Sequence, residues 1–400
     1  MIKTWAICSL LALATLSTAR ADCDDLDNFL SVPSPLTEDT TIYLDVETID
    51  CEALLTDMEV EEIVVEGGTL TITSENTVQF INVAFTVMSG AALVFDMPET
   101  KFGPNDSANE DFPSGELIDI SEDASVKFNG DVVAQEVTNV NILIRNAGTL
   151  EFKKTAYFEN NINGIPVNTG TIKFRGDTTF KGQDGLALDN EAGGFVRFSE
   201  TATFDDNGSD LDGFSGCDVM NTDLTSKIVF RGDATFSNTR CRSAEGASVY
   251  NNGIMNFYGK AYFNDNTSGS NGGAVRNDVG SMTFRRAVQF NNNDADYIGG
   301  GIAVEGGDVT FKKAVKFVGN NADSGGAFAV LFGEKFDNGQ VISSGFGTLT
   351  FEKPSVVKFV DNTVNTDSGD NDNNCTVGDV EDGSTVIGFP DDDVCVAASA

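Results

Sequence analysis

The sequence contains no histidine, and this absence removes several kinds of chemistry at once. Histidine is the side chain whose ordinary pKa lies near neutral pH, and its imidazole is the commonest ligand of transition metals. Catalysis by a Ser-His-Asp triad or by a Cys-His pair is therefore excluded. We identify no catalytic and no cofactor-binding residue, so a protein that is not an enzyme is the favoured interpretation.

Basic residues are scarce as well, since 25 Lys and Arg oppose 62 Asp and Glu for a net charge of -37. Such a charge repels nucleic acid and anionic membranes, and it favours solubility and cations. We therefore expect no nucleic-acid partner. The acidic tracts 22–27, 367–372 and 391–393 lack the ligand spacing of an EF-hand. We expect no cofactor, and Ca²⁺ binding that is weak at most.

Long hydrophobic runs are also missing, which predicts that no helix of the mature protein spans a membrane. The longest apolar run, Trp5–Leu16, follows Lys3 and precedes small residues that end at Ala21. This order is typical of a secretory signal peptide, which we predict over residues 1–21. The protein is therefore expected to be secreted, and to be extracellular or associated with the cell surface or cell wall.

Cysteine is infrequent but even in number once Cys8 of the predicted signal peptide is set aside. An even count in a secreted chain predicts disulfides, and free buried thiols are the alternative. Neighbours in sequence are the favoured pairs, because each such bridge closes a local loop or a chain end. The residues are Cys23 with Cys51, Cys217 with Cys241, and Cys375 with Cys395.

Phenylalanine is the exception among the aromatic residues, with 30 Phe against 1 Trp and 6 Tyr. From residue 148 onward, a short alternating segment ends in one Phe and a second Phe follows after another turn. The first Phe of the unit recurs at 27-residue intervals through Phe230, Phe257, Phe284 and Phe311. Alternation of apolar and polar residues is typical of half-buried strands. Units this short cannot bury their apolar faces alone, so they must stack.

This pattern predicts an all-β protein, a single right-handed parallel β-helix whose interior holds columns of phenylalanine. We expect an N-terminal cap over residues 22–60, the β-helix over 61–362 and an acidic C-terminal cap or tail over 363–400, because the open ends of a solenoid need covering. The long interval before Phe351 indicates a loop insertion over residues 333–345.

Asparagine recurs three residues after the second Phe of most units, where the chain must turn. We expect these residues to adopt left-handed backbone angles and to hydrogen-bond from one coil to the next. Gln183 and Thr239 replace Asn in two units, so the ladder is expected to be incomplete. The asparagines are Asn161, Asn207, Asn266, Asn293, Asn320 and Asn362.

These units resemble the repeat region of the chlamydial polymorphic outer membrane proteins, which carries Gly-Gly-Ala-Ile/Leu/Val and Phe-x-x-Asn tetrapeptides. Here Gly272–Val275 matches the first tetrapeptide and Phe158–Asn161 is one of six matches to the second, over residues 148–362. The resemblance implies surface display and adhesion. The residues up to Ala400 leave no room for the membrane β-barrel strands of that family, so we expect none. The chain is more similar to secreted β-helix proteins of algae and other microbes.

Basic residues follow the first Phe of most units and are expected to form a ridge along one corner of the rod. Pairing with nearby acids such as Asp177 and Asp233 is the alternative. The functional hypothesis is that an anionic glycan, or the acidic surface of another protein, docks along the ridge. The ridge candidates are Lys153, Lys154, Arg175, Arg231, Arg285, Arg286, Lys312 and Lys313, and four sequons predict glycosylation at Asn105, Asn207, Asn266 and Asn374.

Two functions remain open from the sequence. The favoured one is a secreted, non-enzymatic structural or adhesive protein that presents its rod surface to glycans or proteins. The alternative is a polysaccharide lyase, epimerase or hydrolase, which would need several acids and a base aligned across adjacent coils. Asp205, Asp206, Asp210 and Asp212 are the nearest local candidates, although a solvated turn is favoured there. The sequence does not determine the oligomeric state.

Overall fold

The chain is a right-handed parallel β-helix in which each coil contributes one strand to each of three long sheets. The structure is a computed structural model that describes residues 40–43, 48–50, 61–81, 83–103, 116–137, 142–162, 166–209, 218–241, 248–337, 340–352, 357–364, 378–381, 385–387 and 395–397. A fourth sheet of two-residue strands lies at one corner. The predicted fold class is confirmed, and the fourth sheet was not foreseen.

The strands of each sheet follow in stacking order. Sheet 1 contains Thr40–Tyr43, Thr69–Thr73, Ala92–Asp96, Ser125–Phe128, Thr149–Phe152, Thr171–Phe174, Phe195–Phe198, Lys227–Phe230, Ile254–Phe257, Ser281–Phe284, Asp308–Phe311, Thr348–Phe351 and Thr385–Ile387. Sheet 2 contains Thr48–Asp50, Val78–Ile81, Glu99–Phe102, Asp131–Gln135, Ala156–Glu159, Thr178–Lys181, Ala202–Asp205, Ala234–Ser237, Ala261–Asn264, Val288–Asn291, Val315–Val318 and Val357–Val360.

The remaining strands complete the other two sheets. Sheet 3 contains Glu61–Val65, Val83–Val87, Glu116–Ile120, Ile142–Asn146, Pro166–Asn168, Leu188–Asn190, Val219–Asn221, Val249–Asn251, Val275–Asn277, Ile302–Glu305, Phe328–Asp337, Gly378–Glu381 and Cys395–Ala397, with Gln340–Phe346 antiparallel to Phe328–Asp337. Sheet 4 contains Gly208–Ser209, Arg240–Cys241, Thr267–Ser268, Asp294–Ala295, Asn321–Ala322 and Thr363–Val364.

Two columns of phenylalanine rings fill the interior, as the repeat predicts. In the column of sheet 1, Phe284 and Phe311 are paired in register and their ring centroids are 5.1 Å apart. In the column of sheet 2, Phe290 and Phe317 are paired and lie 4.8 Å apart, with an interplanar angle of 6°. Rings of different columns meet edge to face, an arrangement that the charge distribution of aromatic rings favours. All four rings are buried.

The residue before each asparagine of the predicted ladder turns the corner after sheet 2. The sequence predicted left-handed backbone angles for the asparagine itself, and this expectation is wrong. The left-handed residues include Asp206 (φ 55°), Asp265 (φ 56°) and Asn292 (φ 52°). The following asparagines point inward, are buried and form the expected ladder, which we call the first ladder. In it, Nδ2 of Asn266 donates to Oδ1 of Asn293 at 2.9 Å. Asn and Asp tolerate the left-handed region, which explains why short polar residues stand at the turning position.

A second asparagine ladder runs along the inside of sheet 3 and was missed at the level of sequence. Its amides hydrogen-bond from coil to coil at 2.6 to 2.8 Å. From Pro166 onward, each of these asparagines stands two positions after an apolar residue. A recurring apolar-x-Asn triplet in the sequence therefore indicates this ladder. The members are Asn146, Asn168, Asn190, Asn221, Asn251 and Asn277.

Parallel pairing extends beyond the predicted limits of the β-helix at both ends. Thr40–Tyr43 pairs with sheet 1 inside the segment predicted as the N-terminal cap, and Cys395–Ala397 pairs with sheet 3 inside the predicted C-terminal one. The predicted insertion at 333–345 is mostly an antiparallel hairpin, formed by Phe328–Asp337 and Gln340–Phe346. Gly300 precedes sheet 3 where coils approach closely: a Cβ there would lie 2.3 Å from the Asn321 carbonyl oxygen.

Candidate ligand-binding face

The outer surface of sheet 1 is rich in bases, in contrast to the chain as a whole. We define the basic face as the outward residues of the nine sheet 1 strands from Ser125–Phe128 to Thr348–Phe351, together with the residue that follows each strand. It carries three acids, Glu151, Asp308 and Glu352. Its nine bases are Lys127, Lys153, Lys173, Arg175, Arg197, Lys227, Arg231, Arg285 and Lys312.

Strand alternation explains why these side chains share one surface. The first and third residues of most of these strands are exposed or half-buried, while the second and fourth are buried. Successive side chains of a strand point to opposite sides of its sheet, so the apolar residues fill the interior and the polar ones face outward. Parallel pairing in register then places residues of the same position directly above one another.

Five of the eight ridge candidates lie in one column at the edge of the basic face. The backbone N–H of each donates to the carbonyl oxygen of the first Phe one coil earlier, at 2.8 to 3.0 Å. This repeated bond fixes the coil-to-coil register that the sequence predicted. The five are Lys153, Arg175, Arg231, Arg285 and Lys312.

The other three candidates, Lys154, Arg286 and Lys313, stand one residue further on and are exposed at the corner. Their column is interrupted, because Glu200 and glycines including Gly232 occupy it in the coils between. The structure therefore divides the predicted ridge into two columns. One has a base in most coils, and the other is interrupted.

Bases in the strand interiors were missed at the level of sequence, although the alternation carried a signal for them. Lys127, Lys173 and Arg197 each stand between two buried apolar residues of one strand, so they must face outward. Lys127 lies one coil from Lys153, and the pKa of Lys127 is lowered by the side-chain contact with that second ammonium group, with partial burial adding to the effect. Like charges therefore lie close together on this surface.

Two bases of the ridge column are neutralised locally, but not by the acids that the sequence suggested. Nε of Arg175 lies 2.7 Å from Oε1 of Glu151, and Nζ of Lys312 lies 2.6 Å from Oε1 of Glu352. Partial burial acts to raise the pKa of Glu151, but the Arg175 guanidinium outweighs it and the pKa is lowered.

Asp177 and Asp233 serve the corner instead. Their carboxylates accept backbone N–H groups of the next coil, from Thr201 at 3.1 Å and from Lys260 at 2.8 Å.

The centre of the column has a different arrangement. The guanidinium carbon of Arg231 is 4.6 Å from the centroid of the Tyr258 ring, and that of Arg285 is 4.7 Å from the same centroid. The two arginines come from the coils on either side of Tyr258, so the ring lies between them. Cation–π contacts of this kind hold both guanidinium groups in place.

Acids and a base also lie on adjacent coils at the outer face of sheet 3. A polysaccharide-modifying enzyme would need an arrangement of this kind. Arg276 Nη2 lies 2.7 Å from Oε2 of Glu305, and the Tyr250 hydroxyl donates to Oδ2 of Asp278 at 3.1 Å. All four residues are at most 8 % exposed. The groups are enclosed and bonded to one another, which is the arrangement of an internal polar network.

The local acids considered for catalysis lie at a turn. Asp206 is the left-handed corner residue, and the Asp205 carboxylate accepts hydrogen bonds from Ser237 Oγ and Asn238 Nδ2, both at 2.8 Å. Asp210 and Asp212 lie outside the described residues. Within the described ranges, no group of three His, Cys, Asp or Glu residues is arranged to hold a metal ion.

Two buried aspartates have strongly raised pKa values. Burial raises the pKa of Asp218 to about 7, against the opposing effect of hydrogen bonds from Thr239 and Asn207. Burial also raises the pKa of Asp189 to about 7, with repulsion from Glu191 adding to it. Asp218 bridges the first ladder, where Asn207 Nδ2 donates to Oδ1 at 2.8 Å and Thr239 Oγ1 donates to Oδ2 at 2.7 Å.

Two of the four sequons are incompatible with the fold, which corrects the expectation of glycosylation there. Asn207 and Asn266 are buried, and their amides donate to the Phe180 and Phe236 carbonyl oxygens as well as to ladder partners. A glycan on either nitrogen would break these bonds and open the corner. Asn105 and Asn374 lie outside the described residues, so glycosylation there stays a prediction.

The cysteine pairs also stay a prediction. Cys241 is buried and disulfide-bonded. Its predicted partner Cys217 lies outside the described residues, as do Cys23, Cys51 and Cys375. The backbone of Cys395 forms part of a sheet 3 strand.

Comparisons of the chain with protein-family models, with curated proteins and with solved structures find no match. The resemblance to the chlamydial repeat region therefore depends on the tetrapeptides alone. The part of the chain that the structure describes holds no helix with the length and apolar character needed to cross a bilayer.

Proposed function

We propose that the protein is a secreted, non-enzymatic adhesive or structural rod that binds a linear anionic glycan along the basic face. One observation carries the proposal. Five consecutive strands of sheet 1, from Thr171–Phe174 to Ser281–Phe284, present six outward bases and no acid, in a chain of net charge -37. Clustering of one charge sign against the net charge favours a ligand of the opposite sign.

The shape of the surface supports an extended ligand. Parallel strands are spaced about 4.8 Å apart, so nine strands present a continuous surface about 38 Å long. Outward Phe195 and Ile254 add apolar area beside Lys227 in the first column of the same surface. Charged groups beside apolar and aromatic side chains suit a sugar polymer, which offers both anionic groups and C–H surfaces.

The tetrapeptides support the same proposal from the sequence, since the family that they resemble implies surface display and adhesion. Secretion follows from the predicted signal peptide over residues 1–21. The finer part of the resemblance, to the chlamydial repeat region or to similar microbial β-helix proteins, is likewise a proposal.

The test compares binding of sulfated and uronate-containing polysaccharides to two charge-reversed variants. The first variant, K173E/R197E/K227E, reverses three outward bases of sheet 1. The control, K260E/K316E/K358E, reverses three exposed lysines on or beside sheet 2. Both variants change the net charge equally, so only position differs.

We expect the wild type to bind at least one of the polyanions with an affinity that falls as salt is added, because exposed charge pairs are screened. The sheet 1 variant should lose this binding, and the sheet 2 control should retain most of it. Equal losses in both variants would show a general effect of net charge, and no binding by the wild type would refute the proposal.

A further inference from the structure

We infer that Arg231, Tyr258 and Arg285 form a two-pronged anion clamp that selects glycans with anionic groups on every second sugar. This inference depends on the proposed function, because it specifies the ligand of the same surface. It starts from the contacts of the three side chains, which differ from those of every other ridge residue described above.

Neither arginine of the clamp is neutralised by an acid within the described residues. Arg175 and Lys312 each form an ion pair with a glutamate, whereas Arg231 and Arg285 stack on Tyr258 and form no ion pair in the described ranges. On sheet 1, their strands and the one between them present no outward acid. Both arginines are exposed. Their charges are therefore available to a ligand.

Stacking also prepares the guanidinium groups for binding. An arginine free in solvent loses rotamer entropy when it is fixed on a ligand, and a side chain already held in place loses less. A planar guanidinium group presents paired N–H donors that match the two oxygens of a carboxylate or sulfate group. Tyr258 itself is held in register, since its backbone N–H donates to the Phe230 carbonyl oxygen at 2.8 Å.

The spacing of the two prongs sets the selectivity. Arg231 and Arg285 are two coils apart, which separates their backbones by about 9.6 Å along the rod. Their guanidinium carbons lie 4.6 and 4.7 Å from one ring centroid and are therefore at most 9.3 Å apart. An extended polysaccharide chain repeats its orientation every second sugar over about this length. Two anionic groups separated by one sugar can therefore contact both arginines, whereas two anionic groups on neighbouring sugars reach one arginine and the edge of the ring.

The experiment uses two oligosaccharides of six sugars with equal total charge, titrated against the full-length secreted protein by calorimetry. The alternating compound carries two sulfates that are separated by one unsulfated sugar, and the other compound carries two sulfates on adjacent sugars. We expect the wild type to bind the alternating compound about tenfold more tightly, which corresponds to about one charge-assisted contact.

Three variants isolate the cause. R231K/R285K keeps both charges but removes the planar forks, and we expect it to bind both compounds with equal affinity. Y258A removes the ring and should also lose the preference, whereas R175K, in the same column but paired with Glu151, should keep it.

The outcomes separate this inference from the proposed function. A wild type that binds neither compound, nor any longer polyanion, refutes the proposed function. A wild type that binds both compounds equally, or an R231K/R285K variant that keeps the preference, refutes the clamp alone. Circular dichroism on each variant shows that the β-helix is retained, so a lost preference reports the site.

Discussion

The buried carboxyl group of Asp218 predicts that the protein loses stability as the pH rises toward neutrality. The side chain is fully buried within the first ladder, where it accepts hydrogen bonds from Asn207 and Thr239. Burial penalises the charged form and raises the pKa to about 7, whereas an exposed aspartate titrates near 3.8. The folded chain therefore holds a proton on Asp218 at pH values where the unfolded chain has released it.

The sign and the size follow from linkage between proton binding and folding. A folded-state pKa above the unfolded one gives a contribution that is complete below about pH 4 and is lost as the pH rises through about 7. Each pKa unit corresponds to about 1.4 kcal/mol, so the full contribution is about 4 kcal/mol. Between pH 5 and pH 8 the loss should be about 2.5 kcal/mol, because part of the effect lies below pH 5.

The variant D218N tests this directly. An amide can accept from Asn207 through its oxygen and can donate to the Thr239 hydroxyl, which is able to accept. The excess of its free energy of unfolding over that of the wild type should grow by about 2.5 kcal/mol between pH 5 and pH 8, since its side chain carries no charge at either pH. Urea denaturation followed by circular dichroism, at constant ionic strength, measures both values.

A matched control separates this effect from the general repulsion among the acids. D206N removes one carboxylate from the exposed left-handed corner, where Asn is tolerated, and keeps Asp218, so this variant should still lose stability between pH 5 and pH 8. If wild type and D218N lost stability in parallel between pH 5 and pH 8, the carboxyl group of Asp218 would not be protonated in the folded chain, and the argument would fail.

Two further predictions concern the interior. Phe263→Ala, within the sheet 2 column, should lower the free energy of unfolding by about 3 to 5 kcal/mol through the cavity that it leaves, whereas Phe195→Ala on the outer face should cost much less; equal losses in urea denaturation would contradict the assigned faces. Asn251→Ala should cost about 2 kcal/mol or more, because it leaves the amide groups of Asn221 and Asn277 without their ladder partner. An unchanged urea midpoint for the second variant would show that the ladder of sheet 3 does not contribute to stability.

The interior could be predicted from sequence because it depends on strand alternation alone. Phe284 and Phe311 occupy the same position in units of equal length, and a parallel stack leaves them no other arrangement than one above the other. The same reasoning also reaches Lys173 and Arg197, since a polar residue between two buried ones must face outward. Each of these bases stands alone between two apolar residues, so they form no run of charge that is visible in the sequence.

Other features depend on information that strand periodicity does not contain. The stacking of Arg231 and Arg285 on Tyr258 is a matter of side-chain rotamers, which residue spacing does not determine. Arg276 and Glu305 stand at outward positions of sheet 3, yet both are buried and form an ion pair. Strand alternation predicts neither the burial nor the pair. Sequence therefore predicts which coil and which sheet a residue occupies, but not which groups it contacts there.

The acidity of the remaining surface gives the basic face a second consequence for the proposed function. A polyanion that approaches the rod is repelled wherever acids dominate, so productive encounters concentrate on sheet 1. The same repulsion disfavours wrong registers, because a chain shifted toward one end meets Asp96 beyond the first strand of the face, and a chain shifted toward the other end meets Glu352 after the last strand. Attraction in the centre and repulsion at both ends would thus determine where a linear ligand binds along the rod as well as how tightly it binds. Replacing Asp96 and Glu352 with Asn and Gln should therefore leave the affinity for a six-sugar ligand nearly unchanged but strengthen the binding of a polymer longer than the face, a difference that titration with ligands of graded length would measure.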